Sequence, residues 1–461
     1  MLTQAAYGNS RLLLWLRVRE FAVPPSMIET ATARRLAGDW AGACAAAGFD
    51  VDLDVRFLAR VRGREFAGRV RDDLRYLAPD LLRWHLPRIA PDGLLRPGLT
   101  VGLARYEDPG GEGGSPVHLV ARTPPAWADA GQRVSLALWD GRSGAGARRH
   151  PHPRPSRRFR LDLHRHLWDA RRAGELRARA GAEEPPAVAE ELLNALPQPG
   201  RCAVWRWADE AGMVLGAEGR TAGAVAVRLG RRRRLVLERR PDGDGNGPPP
   251  LRLSAASAER DVAALPVLPD AATWVLPDLA LLRAGLIEPE RLHPLVAAAL
   301  APDRPPSAAP GDPDPAGLPR LVECRGARHR IGLVNGVLAP LDHSPAEIRR
   351  EELLAELTGT PLPCLQVIDQ AHRDPGCLPA VRERLGHGDI AGALAVVEGL
   401  LGPEAVLRGG ALRDELAAAA RRRIDHGLFR AGLAGPAPGR GEPGRQRPRD
   451  HRARPRHAFA R

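Results

Sequence analysis

Proline and glycine punctuate this chain so heavily that no regular element can run long between breaks. The sequence holds 49 glycines and 45 prolines in 461 residues. They cluster at 108–116, 141–155, 241–250 and 302–319, with a further run from about 435. Proline removes a backbone donor and breaks helix interiors, while glycine costs conformational entropy wherever it is fixed. The intervals must therefore fill with short helices and short strands joined by irregular segments.

The breaks divide the chain as follows. Residues 1–26 read as a mis-started extension, because Met27 opens a cleaner helix. Residues 27–140 read as a helical region followed by a β-meander, and 141–158 as a basic Pro/Gly linker. A helix plus a β-rich domain takes 159–301, and a Pro-rich linker takes 302–318. A β-hairpin followed by a helical domain takes 319–433, and a disordered basic tail takes 434–461. The expected fold class is α+β, with helical N- and C-terminal regions around one or two small antiparallel β units.

Phe66, Val70, Leu74 and Leu77 recur with helical spacing and predict one buried stripe. Strands are expected at 99–106, 117–123 and 134–138, then at 201–207, 213–217, 224–229 and 235–238. A helix is expected over 161–179. Asn335-Gly336 between apolar runs predicts a tight hairpin. Ser344, Pro345 and Glu347 form a capping-box signature, and a helix over 411–426 begins with acids and ends with bases.

Every one of the 68 Lys and Arg residues is arginine. Lysine-dependent chemistry is thereby excluded, including phosphate loops, pyridoxal enzymes and Schiff-base catalysis, because a guanidinium does not deprotonate. The net charge of +13 is concentrated. Residues 142–179 carry +9 and 434–461 carry +6, which leaves the remainder at −2. The five cysteines are scattered, with no C-x-x-C, which suits a reducing cytoplasm rather than a disulfide framework. No run of residues is long and apolar enough for a membrane helix, so no membrane partner is expected.

Residues 35–45 and 384–395 echo each other as helix, Gly-Asp, helix, at Gly38-Asp39 and Gly388-Asp389. Glycine ends the first helix and aspartate caps the second. These two segments resemble the helical hairpins of tetratricopeptide-type repeats. The chain as a whole is similar to uncharacterised proteins of high-GC actinobacteria, a resemblance that implies no activity. Gly386-His387-Gly388-Asp389-Ile390-Ala391 matches a dinucleotide fingerprint, but it follows a helical segment where a strand is required. No cofactor is expected.

Cys324, His329, His343, Cys364, His372 and Cys377 are the candidate metal ligands, although their pairs are looser than in common zinc motifs. Asp342-His343 is also a candidate oriented base. A nucleic-acid reading draws on segments 142–179 and 231–240. It names Arg148, Arg149, Arg157 and Arg158, the hairpin tip Arg231, Arg232, Arg233 and Arg234, and Trp205 with Trp207 as a stacking platform on one strand face. With no catalytic motif intact, the leading expectation is a non-enzymatic interaction or adaptor protein with a protein partner. A nucleic-acid-associated protein is the alternative, and a hydrolase or metal-dependent enzyme built on the 324–377 cluster is the third.

Overall fold

The computed structural model describes residues 2–107, 116–128, 131–141, 150–182, 193–194, 196, 198–230, 233–239, 251–255, 264–303, 320–434 and 456–457. Most of the expected linker at 302–318 and most of the expected basic tail lie outside these residues. The fold class is α+β. The chain forms two units: residues 1–127, 133–308 and 435–461 make the first, and 128–132 with 309–434 make the second.

The first unit opens with α1 (Leu2–Phe21), α2 (Pro25–Leu36) and α3 (Trp40–Ala46). After β1 (Phe49–Val51) come α4 (Val55–Val61), α5 (Arg64–Tyr76) and α6 (Pro79–His85). A two-residue strand β2 (Ile89–Ala90) precedes the meander β3 (Thr100–Tyr106), β4 (Val117–Arg122) and β5 (Val134–Trp139). The meander is antiparallel as expected, and β1 adds to β5 in parallel, giving the order β1-β5-β4-β3. The predicted stripe is buried, with Phe66, Val70, Leu74 and Leu77 all at 3% exposure or less.

Buried residues between 14 and 23 belong to this core. Leu14, Trp15 and Val18 of α1 are buried in it. Arg19 makes a two-pronged ion pair with Asp278, through Nε at 2.7 Å and Nη2 at 2.8 Å, and its guanidinium stacks on Trp84. The segment expected to be an extension thus supplies a buried charge partner to residue 278.

Two further expectations fail here. The helix expected over 161–179 is instead a series of 3₁₀ turns ending in the short α7 (Leu176–Ala180). Asp169 caps one of these turns through Arg171 N–H, so the backbone is tied locally and a continuous α-helix is interrupted. The strands expected at 201–207 and 213–217 are a 3₁₀ turn and α8 (Trp207–Ala217). Trp207, Ala211, Val214 and Leu215 are all buried, which is a helical rather than alternating pattern.

A three-stranded sheet follows, β6 (Gly223–Arg228), β7 (Arg234–Arg239) and β8 (Leu251–Ala255). Then come α9 (Asp270–Thr273), α10 (Pro277–Arg283) and α11 (Pro294–Leu300). Within the tail, Arg456–His457 forms β12 against β2 of this unit, so that end of the segment is paired rather than disordered.

The second unit begins with β9 (Arg320–Cys324), β10 (Ala327–Val334) and β11 (Val337–Pro340), an antiparallel sheet in the order β11-β10-β9. Arg325 and Gly326 in one turn, and Asn335 and Gly336 in the other, all take positive φ. Two consecutive positive φ values make the tight turns whose twist matches paired strands. Five helices complete the unit: α12 (Pro345–Thr358), α13 (Pro363–Arg373), α14 (Leu378–His387), α15 (Ile390–Leu401) and α16 (Ala411–Ala431). Both Gly-Asp hairpins form as expected. Gly38 and Gly388 sit at φ 79° and 90°, and Asp39 and Asp389 accept from Gly42 N–H and Gly392 N–H.

Candidate metal centre

The turn at Arg325-Gly326 sets the register that builds this site. It pairs Ala327 with Cys324 and His329 with Val322, so Cys324 and His329 face the same side of the sheet. Ile331 follows on that face, and α13 lies against it with Cys364 and Ile368 one turn apart. The buried core of this contact is four side chains, Cys324, Ile331, Cys364 and Ile368, and two of the four are thiols.

The chain leaves β11 and returns beside β10. Leu341 N–H donates to Arg330 O at 2.8 Å. Asp342 accepts from Arg330 N–H at 2.6 Å and from Arg330 Nη2 at 2.7 Å. The guanidinium beside it holds the Asp342 carboxyl down at about 2. Ser344 then starts α12 with a full capping box: Glu347 N–H donates to Ser344 Oγ, and Ser344 N–H donates to the Glu347 carboxylate at 2.7 Å. His343 is thereby fixed on both sides, by Asp342 before it and by the cap after it.

The result is a convergence of four donors. Ligand atoms of Cys324, His329, His343 and Cys364 all lie within 4.8 Å of one another. His329 Nδ1 and His343 Nε2 are 2.7 Å apart. Both cysteines are fully buried and both histidines partly so. A tetrahedral zinc ion with its usual bond lengths sets ligand atoms about 3.3–3.8 Å apart, so small side-chain adjustments complete the shell. Burial first, and then the hydrogen bond and charge of Cys324, push the Cys364 thiol up to about 11. A cation in the cluster would displace that proton, which is the usual linkage between thiolate ligation and metal affinity.

His372 and Cys377 stand outside the cluster. His372 lies eight residues beyond Cys364 on α13, roughly 12 Å along the axis, and Cys377 caps α14. The oriented-base reading of Asp342-His343 also fails, because Asp342 is spent on Arg330 and the His343 ring faces His329. Sequence reading missed Arg330 as the residue that anchors the ligand-bearing turn. Its signal was present in the hairpin register, which brings residue 330 level with the end of β11.

Among the described residues, the nucleic-acid candidates form no tryptophan stacking platform, although Arg157, Arg158 and Arg234 line one cleft. Arg148, Arg149, Arg231 and Arg232 lie outside the described residues. Arg157 donates to the carbonyls of Ala264 and Leu265, and Arg158 is ion-paired with Asp270. Arg233 is exposed, and Arg234 starts β7. Trp207 is fully buried with its indole N–H on Thr273 O at 3.2 Å, and Trp205 sits in the preceding 3₁₀ turn. Arg206 is buried on Glu210. The expected stacking platform is replaced by a helix start packed into the core.

No family model matches the chain, and neither the curated proteins nor the solved structures include a significant match to it.

Proposed function

We propose that the chain is a non-enzymatic interaction protein whose second unit is braced by a structural zinc ion on Cys324, His329, His343 and Cys364. The observation that carries this reading is the four-donor Cys2His2 set itself. Four protein ligands fill a tetrahedral ion, whereas catalytic zinc sites keep one position open for water or substrate. The fully buried apolar cluster at the site is only four side chains, and small cores are commonly supplemented by a metal, which favours a bracing role. A protein partner is supported by α12, whose N-cap Ser344 directly follows His343. None of its residues is buried, and it presents Leu353, Leu354 and Leu357 to solvent.

Metal analysis of the purified chain is expected to give one zinc per molecule, lost in Cys364→Ser. Cobalt substitution should give the absorption of a tetrahedral site with two thiolates. Added azide should leave that spectrum unchanged, because no coordination position is vacant. A spectrum that shifts with azide would instead support the metal-dependent hydrolase. A chain that takes up neither metal would overturn both readings.

A further inference from the structure

The first unit carries a cleft lined with arginines, none of which belongs to the candidate metal centre. A cleft of about 870 Å3 opens between the β6–β7 hairpin and the segment 151–159. Six arginines line it: Arg96, Arg154, Arg157, Arg158, Arg228 and Arg234. Among the described residues, the carboxylate that reaches this group is Asp270, which is buried and ion-paired with Arg158. Among the described residues, Arg96, Arg228 and Arg234 have no ion pair of their own. Arg228 is instead pressed by the charges of Arg158 and Arg234, and Arg96 by those of Arg158 and Arg228.

Two details show that this is not ordinary solvated charge. Arg228 and Arg234 stand directly opposite each other across β6 and β7, a like-charge pair that costs stability in an antiparallel sheet. Arg228 Nε and Arg158 Nη2 are also buried without a hydrogen-bond partner. The adjoining cleft shares Arg154 and Arg157 but also holds two carboxylates, Asp162 and Glu218. There Arg160 pairs with Asp162 at 2.7 Å and Glu218 at 3.0 Å, and Arg105 pairs with Glu107.

We propose that this cleft binds a phosphate-rich anion, with Arg96, Arg228 and Arg234 on its oxygens and Arg158 held in place by Asp270. Planar guanidinium forks match phosphate oxygens two at a time, and a cleft of this size suits a small ligand or a few linked phosphates. The ligand supplies the negative charge that the Arg228–Arg234 pair lacks. The shared chemistry is a run of phosphates, either as a free polyphosphate or as the backbone of a single strand.

Calorimetric titration of the full chain at low salt, with sodium tripolyphosphate and with a short oligouridylate, tests this. Binding of at least one probe is expected. Arg96→Gln and Arg228→Gln should each weaken it about tenfold or more, the loss of one charge-assisted contact. Arg413→Gln, on α16 of the other unit, should leave it unchanged. Without ligand, Arg228→Gln should melt no lower than the native protein, which separates a binding role from a structural one. Tighter binding of tripolyphosphate identifies a free polyphosphate, and tighter binding of the oligomer identifies a strand backbone. No heat with either probe, or binding that ignores both cleft substitutions, overturns the proposal.

Discussion

At the scale of single residues, capping and burial set the energies. Asp389 accepts Gly392 N–H at the start of α15 and is itself buried. Asp389→Ala should therefore destabilise the second unit by about 0.5–2 kcal/mol in urea unfolding, with Asp389→Asn much closer to native. Trp207 is wholly enclosed, so Trp207→Ala should cost about 3–5 kcal/mol, a loss that a surface stacking residue would not produce. Glu210 gathers His164, Arg179 and Arg206. Although burial works in the opposite direction, these partners hold its carboxyl down at about 2. A carboxyl depressed in the folded state stabilises above its ordinary value, and that stability is lost as pH falls from about 4.5 towards 2. Acid unfolding of Glu210→Gln should lack this phase when followed by tryptophan fluorescence.

At the scale of elements, the sequence was most legible where one short segment decides its own shape. The Gly-Asp turns, the Asn335-Gly336 hairpin and the Ser344 capping box each form as read, because each needs only neighbouring residues. Trp205 and Trp207 misled because an i/i+2 pair of large residues imitates a strand. Tertiary packing decided instead, through Ala211, Val214 and Leu215 on the face of Trp207. The six-residue metal set was legible as a list but not as a site. Which four converge depends on β9, a strand not anticipated, and on a turn that places His329 beside Cys324. The cap of α12 is mechanically tied to that site, since it fixes the residue after His343. Ser344→Ala should therefore weaken zinc binding as well as fray the helix, measurable by competition with a chromophoric chelator. Because Cys364 must give up its proton to bind, zinc affinity should rise by about tenfold per pH unit for each thiol proton displaced.

At the scale of the whole molecule, the four candidate ligands all lie in the second unit, so the proposed zinc ion would brace that unit and not the other. Chelation should lower the melting transition of the second unit and leave that of the first in place, resolved by calorimetry as two transitions that move apart. The placement of the five free thiols extends this to rates. Cys377 is only half-buried, while Cys44 and Cys202 are enclosed in the first unit and raised to about 12. Cys324 and Cys364 are enclosed in the second. An alkylating reagent added to the native chain should therefore consume Cys377 first. Thereafter the labelling of Cys324 and Cys364 reports how often the second unit opens, and that of Cys44 and Cys202 how often the first does. The cysteines of this chain are thus a built-in pair of clocks, one in each unit, of which zinc should slow only one.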